Sequence, residues 1–547
     1  RDGSSALPFF VSCALRLMHV NVSELWSEEE YIRRLEEQGW VDVEIQSLET
    51  SSPSGGVLGG WFPSCFLHHL DYVLITAKRP PLSAKEAREV KRPLKVAIVG
   101  SGLSGLTAAH LLSGTHDVTI FEASPKGGLS GQGEKIFGQV VDIPLRIIGK
   151  GYYNYVEKLA EDLNIKLSPI RDDHLSQHNY GDNGPGGKPA SVDYSTSWIS
   201  NLLSYIPLTR DIYRFNRCIY NDSGNGQRDE GETWGQWLAR HRYETSRYDQ
   251  KGAKGENKKD PALFDSFIIW MLMGQASWIL SCSYEKVLDY PATIILAFIR
   301  GLGWGDNVMD TIITSSFSGP KEGMMMRIHP SMRALEFALS YGCTIRNNTR
   351  VSEIDENLEF QGVKYDYVVL ATEASSIKHI LSPEIFPSVF SRVQYHPSTI
   401  VLHTDPSLMP SQKKDWKAFN VCQKDGHDSC MLTAWLNEYY PKADFRADVF
   451  QTWNPHKMPK NVLKECHFLR VVHTKDTPKM LKEIHRLQGK NNIFFAGAYS
   501  VEGMGLLEQA AQSGRKVAKL ILSQTGKKMG QKRVKGKGKE KAARSVG

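Results

Sequence analysis

Leu94–Glu122, LKVAIVGSGLSGLTAAHLLSGTHDVTIFE, is the stretch whose reading decides the fold. Val96 to Val99 form a short apolar run that stops at a glycine, the pattern of a strand buried on both faces. Gly100, Gly102 and Gly105 follow at G-x-G-x-x-G spacing, then a helix rich in Leu and Ala, then a second strand, Asp117 to Phe121, ending in Glu122. Each glycine has a task. Gly100 permits the tight turn out of the strand, Gly102 lets backbone approach a pyrophosphate, and Gly105 lets the helix lie on the sheet. The helix start offers free N–H groups and the positive end of its dipole to phosphates. The expected phosphate-side residues are therefore Gly100, Ser101, Gly102, Leu103, Ser104 and Gly105. Glu122, 20 residues beyond Gly102 and followed by Ala123, stands where a carboxylate accepts hydrogen bonds from a ribose diol. An acid there disfavours the 2′-phosphate of NADP but does not separate NAD from FAD.

Three features elsewhere favour FAD. The doublet Gly127–Gly128, with Leu129 after it, resembles the second phosphate-side contact of glutathione-reductase-like flavoproteins and the amine oxidase group. Arg350–Thr372, RVSEIDENLEFQGVKYDYVVLAT, reads as strand, turn, strand, turn, strand. It resembles the meander of that family, which implies Val351 against the adenine and Ala371–Thr372 closing the last strand. Asn491–Leu522 reads as strand, Gly-rich turn and long helix. It resembles the C-terminal flavin motif, which implies Gly497 and Ala498 beneath the ribityl chain. A helix beginning near Gly505 and Leu506 then points its N-terminus at the flavin ring.

The fold class these readings predict is α/β. A Rossmann-like FAD-binding domain of glutathione-reductase or amine-oxidase type (94–150, 320–394 and 485–525) is interleaved with an α+β substrate domain (151–319 and 395–484). From Leu94 to Leu522 the chain also resembles a narrower group, the amine-oxidase-like flavoproteins related to the N-terminal flavin domain of plant cyclopropane fatty acid synthases. The likeness rests on Val141–Ile165, Tyr290–Gly303, Tyr395–Asn420, Leu432–Tyr440 and Phe450–Pro455. The chain departs from the wider family in places. The spacing from Glu122 to Gly127 is one residue short, Leu129 replaces a common Arg or His, Ile328–Ser331 replaces a Gly-Gly, and Ala498 replaces an acid. Those changes leave FAD binding expected but put contacts from the doublet loop, and catalysis, in question.

The resemblance implies hydride transfer from a substrate C–H to flavin N5, with reoxidation by oxygen or another acceptor. No cysteine lies near Tyr499, so FAD is expected to be non-covalent. Tyr499 is the candidate catalytic residue facing the flavin ring, against the equal reading of a packing aromatic. Arg327 and His329 precede a helix at 331–340, and His403 and Asp405 share one face of a strand, which reads as structural. The apolar segments Phe264–Leu280 and Tyr290–Trp304 read first as helical core. An apolar tunnel for a small lipid or isoprenoid substrate, or a patch in peripheral contact with a membrane, is the second reading. The alternative from another class is an FAD-bearing domain without turnover that serves a fused or partner methyltransferase.

Composition supports a globular protein, with 41% hydrophobic and 23% charged residues. The net charge of +7 comes from the tail: from Lys527 onward nine Lys and Arg stand against one Glu, leaving the rest at a net −1. A basic tail at 526–547 with few apolar residues reads as disordered, and no specific nucleic acid partner is expected. Eight cysteines without a C-x-x-C pair suggest neither metal nor disulfides, and an intracellular, cytoplasmic setting. Within a first segment of 1–80, residues 24–80 read as helix, strand, Ser/Pro/Gly-rich loop and strand. They resemble the C-terminal end of a class I methyltransferase, a remnant or half of a fusion, joined by a linker at 81–93. The first residue is Arg, so a fragment or an incomplete gene product is expected.

Overall fold

The structure, a computed structural model, describes residues 41–48, 72–78, 93–170, 175–180, 191–193, 202–224, 231–245, 266–301, 325–424, 427–440, 443 and 445–525. The chain divides into two units between Arg92 and Pro93. In the first, β1 (Val41–Leu48) and β2 (Tyr72–Lys78) pair antiparallel, with an irregularity between Val41 and Glu44. The helix expected before them, the linker and the basic tail lie outside the described residues.

The second unit is organised by a five-stranded parallel sheet. Its members in chain order are β3 (Lys95–Val99), β4 (Asp117–Phe121), β5 (Thr344–Arg346), β6 (Tyr367–Leu370) and β7 (Ile493–Phe495). In space they run β5-β4-β3-β6-β7, every neighbouring pair parallel. The strand period of two sends alternate residues into two cores. Val96, Ile98, Val118, Ile120, Val369 and Phe494 meet the helices on one face. Ala97, Val99, Phe121, Val368, Leu370, Ile493 and Phe495 enter a second cluster on the other. The helices of the first face are α1 (Leu103–Leu112), α2 (Asn154–Asp162), α3 (Met332–Ser340) and α4 (Leu507–Gln524). The buried stripe of α4, with Ala511, Gly514, Val517, Ala518 and Ile521, recurs every three to four residues and packs on α1.

The expected meander is only partly a sheet. Val351 lies in no strand, Ile354 makes an isolated bridge to Leu381, and Glu359–Phe360 pairs with Val363–Lys364 in a short hairpin before β6. Positive φ at Glu353, Leu358 and Gln361 bends the backbone out of extended pairing, which is why the first strand is missing.

A seven-stranded mixed sheet carries the other half of the unit. Its strands run in the order Ser191–Asp193, Leu175–Tyr180, Phe419–Lys424, Met431–Trp435, Phe450–Trp453, Gln394–His403 and Val462–Val472. The helices Phe267–Leu280 and Ala292–Gly301 feed the core of this half, the packing reading of those apolar segments. Among the described residues no helix is long and apolar enough to cross a membrane.

Candidate functional site

The turn from β3 into α1 is shaped by three different constraints on three glycines. Gly100 has φ +105°, and a Cβ there would lie 2.6 Å from the Ala371 carbonyl oxygen. Ala371 in turn donates to Val99 O at 2.8 Å, so the expected Ala371–Thr372 pair ends β6 directly against this turn. A Cβ on Gly105 would overlap the carbonyl of Gly100, which makes glycine the residue that lets α1 sit this low. Gly102 differs: a Cβ there would meet nothing within 4 Å. No side chain caps α1, and the N–H groups of Leu103 and Ser104 take no partner among the described residues. Open space in front of unpaired helix N–H donors is where a diphosphate fits.

Glu122 is buried beside this turn. Its Oε2 accepts from Ser101 N at 3.0 Å and Ser101 Oγ at 2.8 Å, and its Oε1 accepts from Ser124 N at 2.8 Å. Ala123 is exposed next to it. Beyond β5 the chain passes along the same corner, with Asn348 N donating to Ser124 O at 3.0 Å and Thr349 N to Glu122 O at 2.8 Å. That passage leads to Val351, which is buried in the second cluster.

The doublet loop also reaches this corner, through Gly128. Gly128 N donates to Ser101 Oγ at 2.6 Å, and a Cβ on Gly128 would lie 2.7 Å from Glu122 Oε2. Leu129, expected beside the cofactor, turns its side chain into the helix-side core. The loop is held by Glu336 of α3, which sequence reasoning missed. Its Oε2 accepts from Ser130 N at 3.0 Å and from the Ser130 hydroxyl, and burial raises its pKa.

The C-terminal segment closes on the first turn. Ser513 of α4 accepts from Gly497 N at 3.0 Å, and its Oγ lies 3.1 Å from Ser104 Oγ, 409 residues away. A Cβ on Gly514 would overlap Ser104 O, so α4 and α1 touch backbone to backbone. Ala498 opens a short turn, Leu506 N donates to Gln509 Oε1 at 3.1 Å, and α4 begins at Leu507, two residues past Gly505. Gly505 has φ +69°, and a Cβ there would lie 2.5 Å from Val471 and 3.5 Å from His473 Nε2. His473 is fully enclosed, its Nε2 has no partner, and burial lowers its pKa to about 4, so the ring is neutral. Glu508 reaches across to α2, accepting from Tyr155 N and Val156 N at 3.0 Å each.

Tyr499 is placed by the structure as a packing aromatic, the other of its two readings. Its ring stands edge-on to Phe390 at 6.1 Å inside the second cluster, and a Cβ on Gly497 would overlap it. The hydroxyl is enclosed without a partner, and burial holds its pKa far above the usual value. It packs the floor of the turn, and no catalytic role follows from this placement. Arg327 points inward, its guanidinium 4.8 Å from the Tyr440 ring, whereas His329 is exposed. His403 is buried and neutral, Nε2 paired to Thr452 Oγ1 at 2.8 Å, and Asp405 accepts from Ser407 N and Lys460 N, both in support of the sheet.

Asp142 was also invisible in the sequence. Both carboxylate oxygens lie 3.1 Å from Met332 N at the start of α3, and burial, opposed by that bond and by Arg146 and Arg327, raises its pKa to about 6. A folded-state pKa above the ordinary 3.8 means the native state holds the proton more tightly. The stabilisation is therefore complete below about pH 4 and lost as pH rises through 6, roughly 3 kcal/mol in all. Asp142→Asn keeps an acceptor for Met332 N without the buried charge. It is expected to melt above the unsubstituted protein at pH 7.5 and to converge with it near pH 4. A gap that widens on acidification would show instead that the anion is the favoured form.

Comparison with known proteins places this geometry. A family model described as an NAD(P)-binding Rossmann-like domain matches residues 98–163. A protein assigned as a protoporphyrinogen oxidase from Exiguobacterium sp. superposes with a TM-score of 0.53 at 13% identity, over 79% of this chain and 99% of its own. A conjugated-linoleic-acid-producing fatty acid isomerase from P. acnes gives 0.51 at 12%, over 80% and 99%. An engineered putrescine oxidase gives 0.52 at 12%, over 79% and 99%. At these identities the likeness establishes the fold: a mixed α/β protein built on a Rossmann-type parallel sheet.

Proposed function

We propose that this chain is an FAD-dependent oxidoreductase acting on a small apolar substrate, with FAD held non-covalently. The observation that carries the reading is the Ser513 junction. It brings the Gly497 turn and the start of α4 onto the Gly100–Gly105 turn, so that one elongated ligand can touch both. In this reading Leu103 N and Ser104 N hold the diphosphate and Glu122 takes the ribose hydroxyls, exchanging Ser101 for them. The uncapped start of α4 faces the ring end of the cofactor. Bound FAD supplies the hydride acceptor, and the residues of the chain position the substrate against it and keep water out. The fold shared with an assigned protoporphyrinogen oxidase, a fatty acid isomerase and a putrescine oxidase supports flavin over nicotinamide. Ile294, Ala297 and Phe298 of the helix Ala292–Gly301 line a pocket beside Tyr152 and Gln509, which supports an apolar, lipid or isoprenoid substrate.

Purified protein is expected to be yellow and to release FAD on denaturation, identified by mass spectrometry. Ser513→Val removes the acceptor of the buried Gly497 N–H and is expected to weaken FAD binding by about tenfold, the effect of one unpaired buried donor. Protein that is colourless after incubation with excess FAD would sink the reading.

A further inference from the structure

The pocket beside Tyr152 and Gln509 has two unlike linings. Its volume of about 560 Å3 lies in the range of sites that hold a small organic ligand, roughly 300 to 1,000 Å3. The helix Ala292–Gly301 gives it an apolar lining, with Phe298 edge-on to the Tyr152 ring at 5.0 Å. Helices α2 and α4, with the turn before α4, give it a charged one: Lys158, Glu502, Glu508 and Arg515. Those four charges are not equally free. Glu508 accepts from Tyr155 N, Val156 N and Gln512 Nε2, so both its oxygens are already engaged. Lys158 and Arg515 form no hydrogen bond or ion pair among the described residues. The Arg515 guanidinium lies 4.7 Å from the centre of the Tyr155 ring, a contact that leaves its N–H groups without an acceptor. Lys158 follows Tyr155 by three residues in α2, the spacing that sets two side chains next to each other on a helix. Tyr155 therefore brings the two cations together in one pocket. Against them stands Glu502, which is exposed, so the charge left to a ligand is a net +1.

We propose that this pocket takes an amphipathic acid, its carboxylate at Lys158 and Arg515 and its apolar body along Ile294, Ala297 and Phe298. Arg515 offers a planar fork of donors steadied by the Tyr155 ring, and Lys158 adds a point charge from an exposed position. A net charge of +1 matches a monoanion better than a phosphate dianion, and it repels an amine. The pocket also reaches the start of α4. Gln509 lines it, and Gln509 Oε1 accepts from Leu506 N at 3.1 Å and from the Tyr152 hydroxyl at 3.3 Å. Calling the bound acid a substrate rests on the oxidoreductase reading, in which the start of α4 faces the cofactor ring. The anion site itself rests on the two unpaired cations.

The test is calorimetric titration of the full chain with octanoate, and with 1-octanol, octylamine and octyl phosphate as its neutral, cationic and dianionic matches. Octanoate is expected to bind about tenfold more tightly than octanol, the effect of a charge-assisted contact. Arg515→Met is expected to weaken octanoate by about tenfold and Lys158→Met, at an exposed position, by about threefold, with octanol unchanged in both. Arg515→Lys, which keeps the charge and loses the fork, is expected to fall between the unsubstituted protein and Arg515→Met. Ala297→Trp, also at an exposed position, fills the pocket and is expected to abolish binding of octanoate and octanol alike. Octanoate no tighter than octanol in the unsubstituted protein overturns the proposal, and that comparison requires no variant to fold. A preference for octylamine or for octyl phosphate overturns it too, and so does octanoate binding that survives Ala297→Trp, which would put the anion elsewhere. None of these measurements uses a flavin signal. Colourless protein that binds octanoate through Arg515 would leave the anion site standing and remove the flavin reading alone. In yellow protein, octanoate bound without any shift of the flavin absorption would separate the pocket from the ring and overturn its assignment as substrate.

Discussion

Gly102→Ala is expected to cost FAD affinity on the order of a hundredfold while leaving the melting temperature of the FAD-free protein within about 2 °C. The backbone there, φ −68° and ψ 172°, is open to any residue, and a Cβ would touch no protein atom within 4 Å. The folded chain therefore has no reason to resist the methyl. What the methyl does occupy is the space in front of Leu103 N and Ser104 N, where it would hold a diphosphate off the helix N-terminus. Losing close approach to two charge-assisted donors is worth about 3 kcal/mol, a little over a hundredfold. Gly105→Ala is the contrasting substitution. Its Cβ overlaps Gly100 O, so that variant loses stability and flavin together. Spectroscopic titration with FAD beside thermal melts separates the two. Equal FAD affinity for Gly102→Ala and the unsubstituted protein would mean that the open space is not the cofactor's.

The contrast between those two glycines explains what the sequence could reveal. The strand, turn, helix and acid between Leu94 and Glu122 are local, and each residue's task is set by neighbours within thirty positions. They are legible for that reason. The contacts that complete the site are not local. Ser513 and Gly514 read as ordinary members of an amphipathic helix, because nothing near them shows that Ser104 will arrive from the far end of the chain. Asp142 and Glu336 are charged residues, which sequence alone assigns to the surface; their meaning comes from burial. Tyr499 and Leu129 fail in the opposite direction. Both sit inside motifs whose backbone touches the site, yet their side chains turn into the two cores, Tyr499 toward Phe390 and Leu129 toward the helices. Motif position predicts where the backbone goes better than where a side chain points.

The junction of α1 and α4 is where stability and function meet, and Gly514→Val tests it. A valine Cβ would overlap Ser104 O and lie 3.0 Å from Thr107 Cβ, and both neighbours belong to α1, one of them backbone. Neither can rotate away, so the helices must separate, at about 3 kcal/mol or more for overpacking of this kind. The gain from replacing a helical glycine, at most about 1 kcal/mol, is too small to offset it. For a folded unit of this size the expected fall in melting temperature is roughly 3 to 4 °C or more. FAD retention should fall with it, because separation pulls Ser513 away from Gly497 N and opens the cleft that both turns share. Gly114→Ala supplies the control: its Cβ meets nothing within 4 Å, and the melting temperature should stay within about 1 °C. If Gly514→Val melted like Gly114→Ala, the two helices would not be in backbone contact, and the joining of the remote segments on which flavin binding depends would have to be made elsewhere.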